Sequence, residues 1–249
     1  MSWIKSIFRG TKKGDPFDLS SLKLDMHSHL IPGIDDGSKS MDDTIAMLAK
    51  FEAFGFTKVI TTPHIMSDYY RNTPEIILGG LEKVRAEIER SGLNLQIEAA
   101  AEYYFDETLL EKLEKKEPLL TFGDKYLLFE FSFHVEPSNI EKLFFELITQ
   151  GYKPVLAHFE RYEFLHGSIE KAREWRTKGI NIQLNYNSLG GHYGPNVLKQ
   201  ARLLVDSGEL DFVSTDCHRM EHLMILEKNL RDPYFHKLGE LTLKNTSLI

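Results

Sequence analysis

Leu24-Asp25-Met26-His27-Ser28-His29-Leu30-Ile31-Pro32-Gly33-Ile34-Asp35-Asp36-Gly37 is the stretch on which the reading of this chain turns. Short apolar alternation runs into two histidines two positions apart. A turn broken by Pro32 and Gly33 then carries two aspartates. Side chains at i and i+2 share one face of a strand, so His27 and His29 can present both imidazoles to one point. Alone, the pair reads equally well as incidental loop polarity. The decision rests on whether later strand ends supply matching ligands.

They do. A strand over 22–26 is followed by a helix over 41–54, apolar at Met41, Ile45, Met47, Leu48, Phe51 and Phe54, with Ser38 or Ser40 as cap and Asp42 and Asp43 in its first turn. The strand 57–61 ends in Thr62-Pro63-His64, and a helix over 74–90 starts at proline and stops at Gly92. The strand 95–101 ends in Glu102-Tyr103-Tyr104, with a helix over 107–116 behind it. The strand 126–130 ends at Glu130 and precedes a helix over 137–150; the strand 153–157 ends at His158 and precedes a helix over 169–178. The strand 180–184 is followed by a glycine-rich loop and a helix over 195–206. The strand 211–215 ends in Asp216-Cys217-His218, with helix from Met220 and a last segment from Pro233. Seven strand–helix units predict an α/β protein with a mostly parallel sheet. A doubly wound sheet gathers its site at one crevice, whereas a barrel gathers residues from the C-terminal end of nearly every strand. Metal-capable residues at six of the seven strand ends favour a (β/α)7 barrel, one domain over 22–249, with residues 1–21 as a tail or short helix and 12–21 as a linker.

Composition narrows the function. With 249 residues, 42% hydrophobic and 27% charged, the chain has the make-up of a soluble globular protein. Its net charge of -7 and lack of a basic run exclude a nucleic-acid backbone as main partner. The single cysteine, Cys217, rules out an intrachain disulfide framework and fits a reducing cytoplasm. No apolar run reaches the length of a membrane span. Residues 1–10 carry apolar and aromatic side chains at helical spacing without a signal peptide's features.

The candidate site comprises His27, His29, Asp36, His64, Glu102, Glu130, His158, Asp216 and His218. Left uncompensated, so many carboxylates at one end of the strands would repel. Nine donors exceed a single tetrahedral zinc site and suit two or three divalent ions; with Cys217 alternating away, a thiolate-rich site is excluded. Manganese, iron, zinc and magnesium all suit such donors. Glu98 lies inside its strand, too deep to compete with Glu102, and His134 reads as a loop histidine. Tyr69, Tyr70, Tyr103 and Tyr104 are candidates for the wall of an aromatic-accepting slot. A cysteine-phosphatase route is set aside, because Cys217 has no glycine-rich phosphate cradle around it.

The stretch 25–37, together with Thr61-Thr62-Pro63-His64, Glu102-Tyr103-Tyr104 and Ala157-His158-Phe159-Glu160-Arg161-Tyr162, resembles the polymerase-and-histidinol-phosphatase (PHP) superfamily. It is most similar to the bacterial manganese-dependent protein-tyrosine phosphatases of capsule and exopolysaccharide loci. The resemblance spans about 22–218. It implies a distorted seven-unit barrel with three divalent ions, manganese foremost: one at His27, His29, Glu102 and Asp216, a second at Glu102, Glu130 and His158, a third at Asp36, His64 and His218, with Asp35 not a ligand. It implies hydrolysis of phosphotyrosine by in-line attack of a hydroxide held between two metals, on the C-terminal tail of a membrane-associated tyrosine kinase. Arg161 is the expected phosphate-binding guanidinium, and Asp216 or His218 a proton source only if free of metal. The related phosphatases carry a second arginine a few residues after the Asp-x-His; here Arg219 follows at once. The rival within the same chemistry is a small-molecule phosphomonoesterase such as a histidinol phosphatase; a non-enzymatic barrel would have lost ligands, and none of the nine is missing. Oligomeric state is not legible.

Overall fold

The computed structural model describes residues 14–248; the amphipathic opening at 1–10 lies outside them. Strands and helices alternate as β1 (Leu24–Asp25), α1 (Met41–Ala53), β2 (Lys58–Thr61), β3 (His64–Ile65), α2 (Pro74–Ser91), β4 (Gln96–Ala99), β5 (Glu102–Tyr104), α3 (Glu107–Glu114) and β6 (Tyr126–Glu130). They continue as α4 (Ile140–Thr149), β7 (Lys153–Leu156), α5 (Ile169–Thr177), β8 (Asn181–Asn185), α6 (Tyr186–Leu189), α7 (Pro195–Ser207), β9 (Phe212–Ser214), α8 (Met220–Asn229) and α9 (Pro233–Gly239).

Local chemistry accounts for the helix bounds. The Ser40 hydroxyl accepts the Asp43 N–H and opens α1, whose buried face is Thr44, Met47, Leu48 and Phe51. Thr73 caps α2 ahead of Pro74, and Gly92, at φ +70°, ends it in the left-handed region that glycine enters without a Cβ penalty. The short α6 escapes sequence reading because all four of its residues are buried, leaving no amphipathic period.

Every ladder is parallel. One sheet runs β1-β2-β4 and the other β3-β5-β6-β7-β8-β9. The expected strands 57–61 and 95–101 form β2 and β4, and past the end of each a short further strand, β3 or β5, joins the other sheet. Pro63, which has no N–H to donate, interrupts the second strand line, and its neighbour breaks at Ala100-Ala101. Pairing nonetheless crosses the step: Ala100 N–H donates to Thr61 O at 2.9 Å and Glu102 N–H to Pro63 O at 3.1 Å. Spatial order follows chain order throughout, without the reversal that defines a doubly wound sheet. One hydrophobic cluster lies between strands and helices. A smaller one joins Leu24, Met26, Ile60, Leu128, Val155 and Phe212 from five strands.

The first and last strand lines meet through polar contacts. Ser28 bridges Cys217 in parallel register, His29 N–H donates to Cys217 O at 2.8 Å, and Asp216 N–H donates to His27 O at 2.9 Å. Beneath them the buried Asp25 carboxylate accepts the Thr215 N–H at 2.8 Å and the Ser214 and Thr215 hydroxyls at 3.0 and 3.2 Å. The expected linker at 12–21 is partly packed: Phe17 N–H donates to Leu230 O at 2.8 Å, and Leu19 is buried in the core. Apolar residues spaced for no regular element gave no sign of this.

Replacing Asp25 with alanine strands the buried Thr215 N–H, leaves the Ser214 and Thr215 hydroxyls only the His27 carbonyl to share, and weakens the tie between first and last strands. We expect a loss of about 3 kcal/mol, read from urea unfolding curves; an unchanged midpoint would show that Asp25 does not tie the first strand line to the last.

Candidate metal centre

The nine candidate residues converge: His27, His29, Glu130, His158, Asp216 and His218 stand at or just past the C-terminal ends of strands, His64 and Glu102 open the short β3 and β5, and Asp36 lies in the loop before α1. The Nε2 atoms of His27 and His29 lie 3.3 Å apart. Glu102 Oε2 is 3.2 Å from the first and 3.3 Å from the second, and Asp216 Oδ1 is 3.3 and 3.6 Å from them. Glu102 also faces His158 Nε2 at 3.1 Å through Oε1 and His64 Nδ1 at 3.2 Å through Oε2. Glu130 lies 3.3 Å from His64 Nδ1 and 3.6 Å from His158 Nε2. On the outer side, Asp36 Oδ1 is 3.5 Å from His64 Nε2 and 3.5 Å from His218 Nε2. Three groups among these have ligand atoms close enough to hold an ion: His27, His29 and Asp216; His64, Glu102 and Glu130; and His29, Asp36, His64 and His218. His64 thus faces two groups, where the sequence reading gave it one. Its two ring nitrogens point to opposite sides.

Backbone strain turns two of these side chains. His158 has φ +36° and Asp216 φ +50°, a region that non-glycine residues enter at a cost of about 1–3 kcal/mol. In strict alternation His158 would follow Leu156, which faces the outer cluster; the left-handed turn aims its ring at Glu102 instead.

The donor set suits cations. His27, His29, Glu102, His158 and Asp216 are almost wholly buried. Burial alone would raise the Glu102 and Asp216 carboxyls, yet adjacent imidazoles hold both below the usual range. Burial, with the Glu102 and Asp216 charges beside it, pushes Glu130 well up. Burial would lower His27 and His29, but the facing carboxylates hold both up. Protons therefore occupy the space between these groups when no metal does. The buried Glu102 Oε2 and His64 Nδ1 have no hydrogen-bond partner despite their close neighbours. Atoms that approach without hydrogen-bond geometry, all facing shared points, are arranged as a ligand set is. Asp35 Oδ2 accepts from His29 Nδ1 at 2.8 Å and from the His64 N–H at 3.2 Å, so it orients ligands from behind.

The cleft above has a volume of about 480 Å³. The Arg161 guanidinium enters it between the Phe133 ring at 4.3 Å and the Tyr193 ring at 4.6 Å, with Nη1 3.5 Å from Asp216 Oδ2. Arg219 is exposed on the rim. Of the four tyrosines expected to form a slot, Tyr70 stacks on His64 with ring centroids 5.4 Å apart, and Tyr104 lines the wall. Tyr103 is corrected: alternation along β5 opposes it to Glu102, and its buried hydroxyl accepts the Leu120 N–H at 2.7 Å. Tyr69 is also corrected, since it projects into solvent outside the cleft. Glu98 pairs with Lys58 at 2.8 Å, and His134 pairs with Glu163 at 3.0 Å on the surface. Cys217 is buried, with its thiol pushed up by burial, which is the opposite of a nucleophilic thiolate.

Sequence reading missed Tyr193, Gln183 and Asn185. The signal for the last two was present: Asn181, Gln183 and Asn185 alternate as polar residues on a strand whose every position is buried.

A parallel α/β fold whose strand ends converge three metal-capable groups into one cleft defines a metal-dependent hydrolase. Residues 23–238 match the family described as Capsular polysaccharide synthesis, CpsB/CapC, and the chain belongs to it. It is 30% identical to CapC of Staphylococcus aureus over 91% of this chain and 90% of that one. It is 28% identical to the tyrosine-protein phosphatase YwqE of Bacillus subtilis over 90% of this chain and 93% of that one. A solved structure from work on YwqE and the Streptococcus pneumoniae CpsB, described as metal-dependent tyrosine phosphatases, superposes with a TM-score of 0.76 at 28% identity, covering 90% of this chain and 93% of that one. The chain is thus a member of a metal-dependent phosphatase family, as the resemblance in 25–37 implied.

Two outcomes follow from the geometry. Because His27 and His29 hold protons more tightly than free imidazole, metal must displace them; Mn2+ affinity in titration calorimetry should rise with pH by about tenfold per unit for each proton released, and a flat profile would contradict the arrangement. A Cβ at Gly37 would lie 2.3 Å from His29 O and 2.4 Å from His29 Cβ. Gly37→Ala should therefore displace the loop bearing Asp35 and Asp36 and reduce bound metal, measured by elemental analysis, while the circular dichroism stays that of the wild type.

Proposed function

We propose that this chain is a divalent-metal-dependent protein-tyrosine phosphatase on a closed, distorted (β/α)7 barrel of the PHP type. The observation that carries the reading is the juxtaposition of three metal-capable groups with an aromatic-walled cleft and a clamped arginine. His27, His29, Glu102 and Asp216 would hold one ion, Glu102, Glu130 and His158 a second, and Asp36, His64 and His218 a third, manganese being the metal we assign. When bound, such ions supply Lewis acidity, making water nucleophilic at neutral pH and offsetting phosphoryl charge.

The chain's own residues do the rest. Arg161 presents a planar fork to the non-bridging phosphoryl oxygens, pre-oriented by the two rings that sandwich it. Arg219 on the rim contributes a second, solvent-exposed cation. Tyr70, Tyr104 and Tyr193 face the substrate's aromatic ring. Asp216 and His218 stand within ligand groups, so neither is assigned as a free acid; a phenolate with a pKa of about 10 departs with less protonation than an alkoxide needs. We place the enzyme in the cytoplasm, acting on the tyrosine-phosphorylated C-terminal tail of a membrane-associated kinase that governs capsule or exopolysaccharide synthesis. No helix among the described residues is long and apolar enough to cross a membrane.

Steady-state hydrolysis of a phosphotyrosyl peptide, set beside histidinol phosphate and repeated after chelation, tests this reading. We expect metal-dependent turnover of the peptide, and activity that survives complete metal removal would overturn it. Arg161→Ala should lower kcat/KM by about 100-fold; no change would take Arg161 out of the site.

A further inference from the structure

Strand β8 is the one strand line that brings no candidate ligand to the cleft, yet it carries a buried chain of amides beneath it. Gln183 and Asn185 are both fully buried. Gln183 Oε1 lies 2.8 Å from the His158 backbone N and 3.2 Å from His27 Nδ1. Gln183 Nε2 lies 2.8 Å from Asn185 Oδ1, and Asn185 Nδ2 lies 2.8 Å from Asp216 Oδ2.

One backbone group sets the polarity of the whole chain. The His158 N–H can only donate, so the Gln183 atom facing it must be the carbonyl oxygen. That oxygen cannot donate to His27, so His27 Nδ1 must carry a proton, and Nε2 is the ring nitrogen that faces the cleft. With its oxygen committed on one side, Gln183 offers its NH2 group on the other, and Asn185 must meet it with Oδ1. Asn185 therefore turns its own NH2 toward Asp216, donating to Oδ2 and leaving Oδ1 to face His27 and His29. The reverse orientation of either amide would set donor against donor or acceptor against acceptor at full burial, at a cost of about 1–3 kcal/mol per mismatch.

We infer that Gln183 and Asn185 are positioning residues that fix the tautomer of His27 and the rotamer of Asp216 through a single directed amide relay. The inference rests on reading His27 and Asp216 as metal ligands, and it adds a strand to the machinery that contributes no ligand itself. It places two ligands from opposite ends of the chain under one hydrogen-bond polarity, so that both unshared acceptor atoms point to the same place before a metal arrives. Orienting groups of this kind change metal affinity by about 10–100-fold.

The test has two readouts on the full-length chain. In the metal-free protein, at a pH at which its 15N shifts show the His27 ring to be neutral, long-range 1H–15N correlation spectra report which nitrogen of His27 is protonated. We expect the Nδ1–H form in the wild type, a mixture in Gln183→Met, and the Nδ1–H form again in Gln183→Glu, whose carboxylate still accepts from both partners. Mn2+ titration calorimetry should show at least tenfold weaker binding in Gln183→Met and weaker binding in Asn185→Leu. An Nε2–H form of His27 in the wild type overturns the relay, and this reading stands even if a variant does not fold. Unchanged Mn2+ affinity and His27 tautomer in a folded Gln183→Met overturn it as well. If the wild type binds no Mn2+, the metal assignment fails separately, and the tautomer spectrum still decides the relay.

Discussion

The constraint on which the rest depends is the crowding of Glu102, Glu130 and Asp216 against His27, His29, His64 and His158 within hydrogen-bond distances and nearly out of water. Carboxylates packed this closely repel unless protons or cations lie between them. Without cations, facing carboxylates push His27 and His29 toward the protonated form and burial with neighbouring charge does the same to Glu130, while burial holds His64 and His158 down. The fold serves to hold the cluster against that repulsion. Parallel strands deliver their C-terminal ends to one side, and the Asp25 network locks the first strand line to the last directly beneath.

The ligand candidates and most of the cleft wall come from different parts of the fold. Ligand candidates sit on strand ends, and Asp35, Gln183 and Asn185 hold them from behind. Of the five non-glycine residues with left-handed backbone, His158 and Asp216 lie in the cluster, and there the turn sets the direction of a candidate ligand. The cleft walls come instead from loops, with Tyr70 after β3, Phe133 after β6 and Tyr193 after α6. Catalytic chemistry on a rigid frame with recognition on loops is the division that such folds commonly show.

The alternation of strand and helix, the capped start of α1, the proline start and glycine stop of α2, and the residues of the cluster were all legible in the chain. Each depends on local pattern: a period of two or 3.6, a cap, or a polar residue at the end of an apolar run. The fate of the tyrosines was half legible. Tyr103 and Tyr104 look alike in sequence, but the side of β5 on which each falls decides that one packs in the core and the other lines the cleft. Arg161 was found from its spacing after His158. Its aromatic clamp was not, because Phe133 and Tyr193 come from loops that only packing brings together.

By itself, then, the sequence determined the class of fold, the supply of ligands and their places at successive strand ends, because these follow from periodicity and residue chemistry within a few positions of each other. Tertiary structure alone decided which donors share a point. His64 turns to two groups, His29 joins His27 on one side and Asp36 on the other, and Gln183 and Asn185 enter as an orienting relay. The contacts of the relay span 31 positions from Asn185 to Asp216 and 156 from Gln183 to His27, and the geometry of all these relations depends on strand stagger, two left-handed turns and the direction of single amide groups. No local pattern in a sequence encodes them.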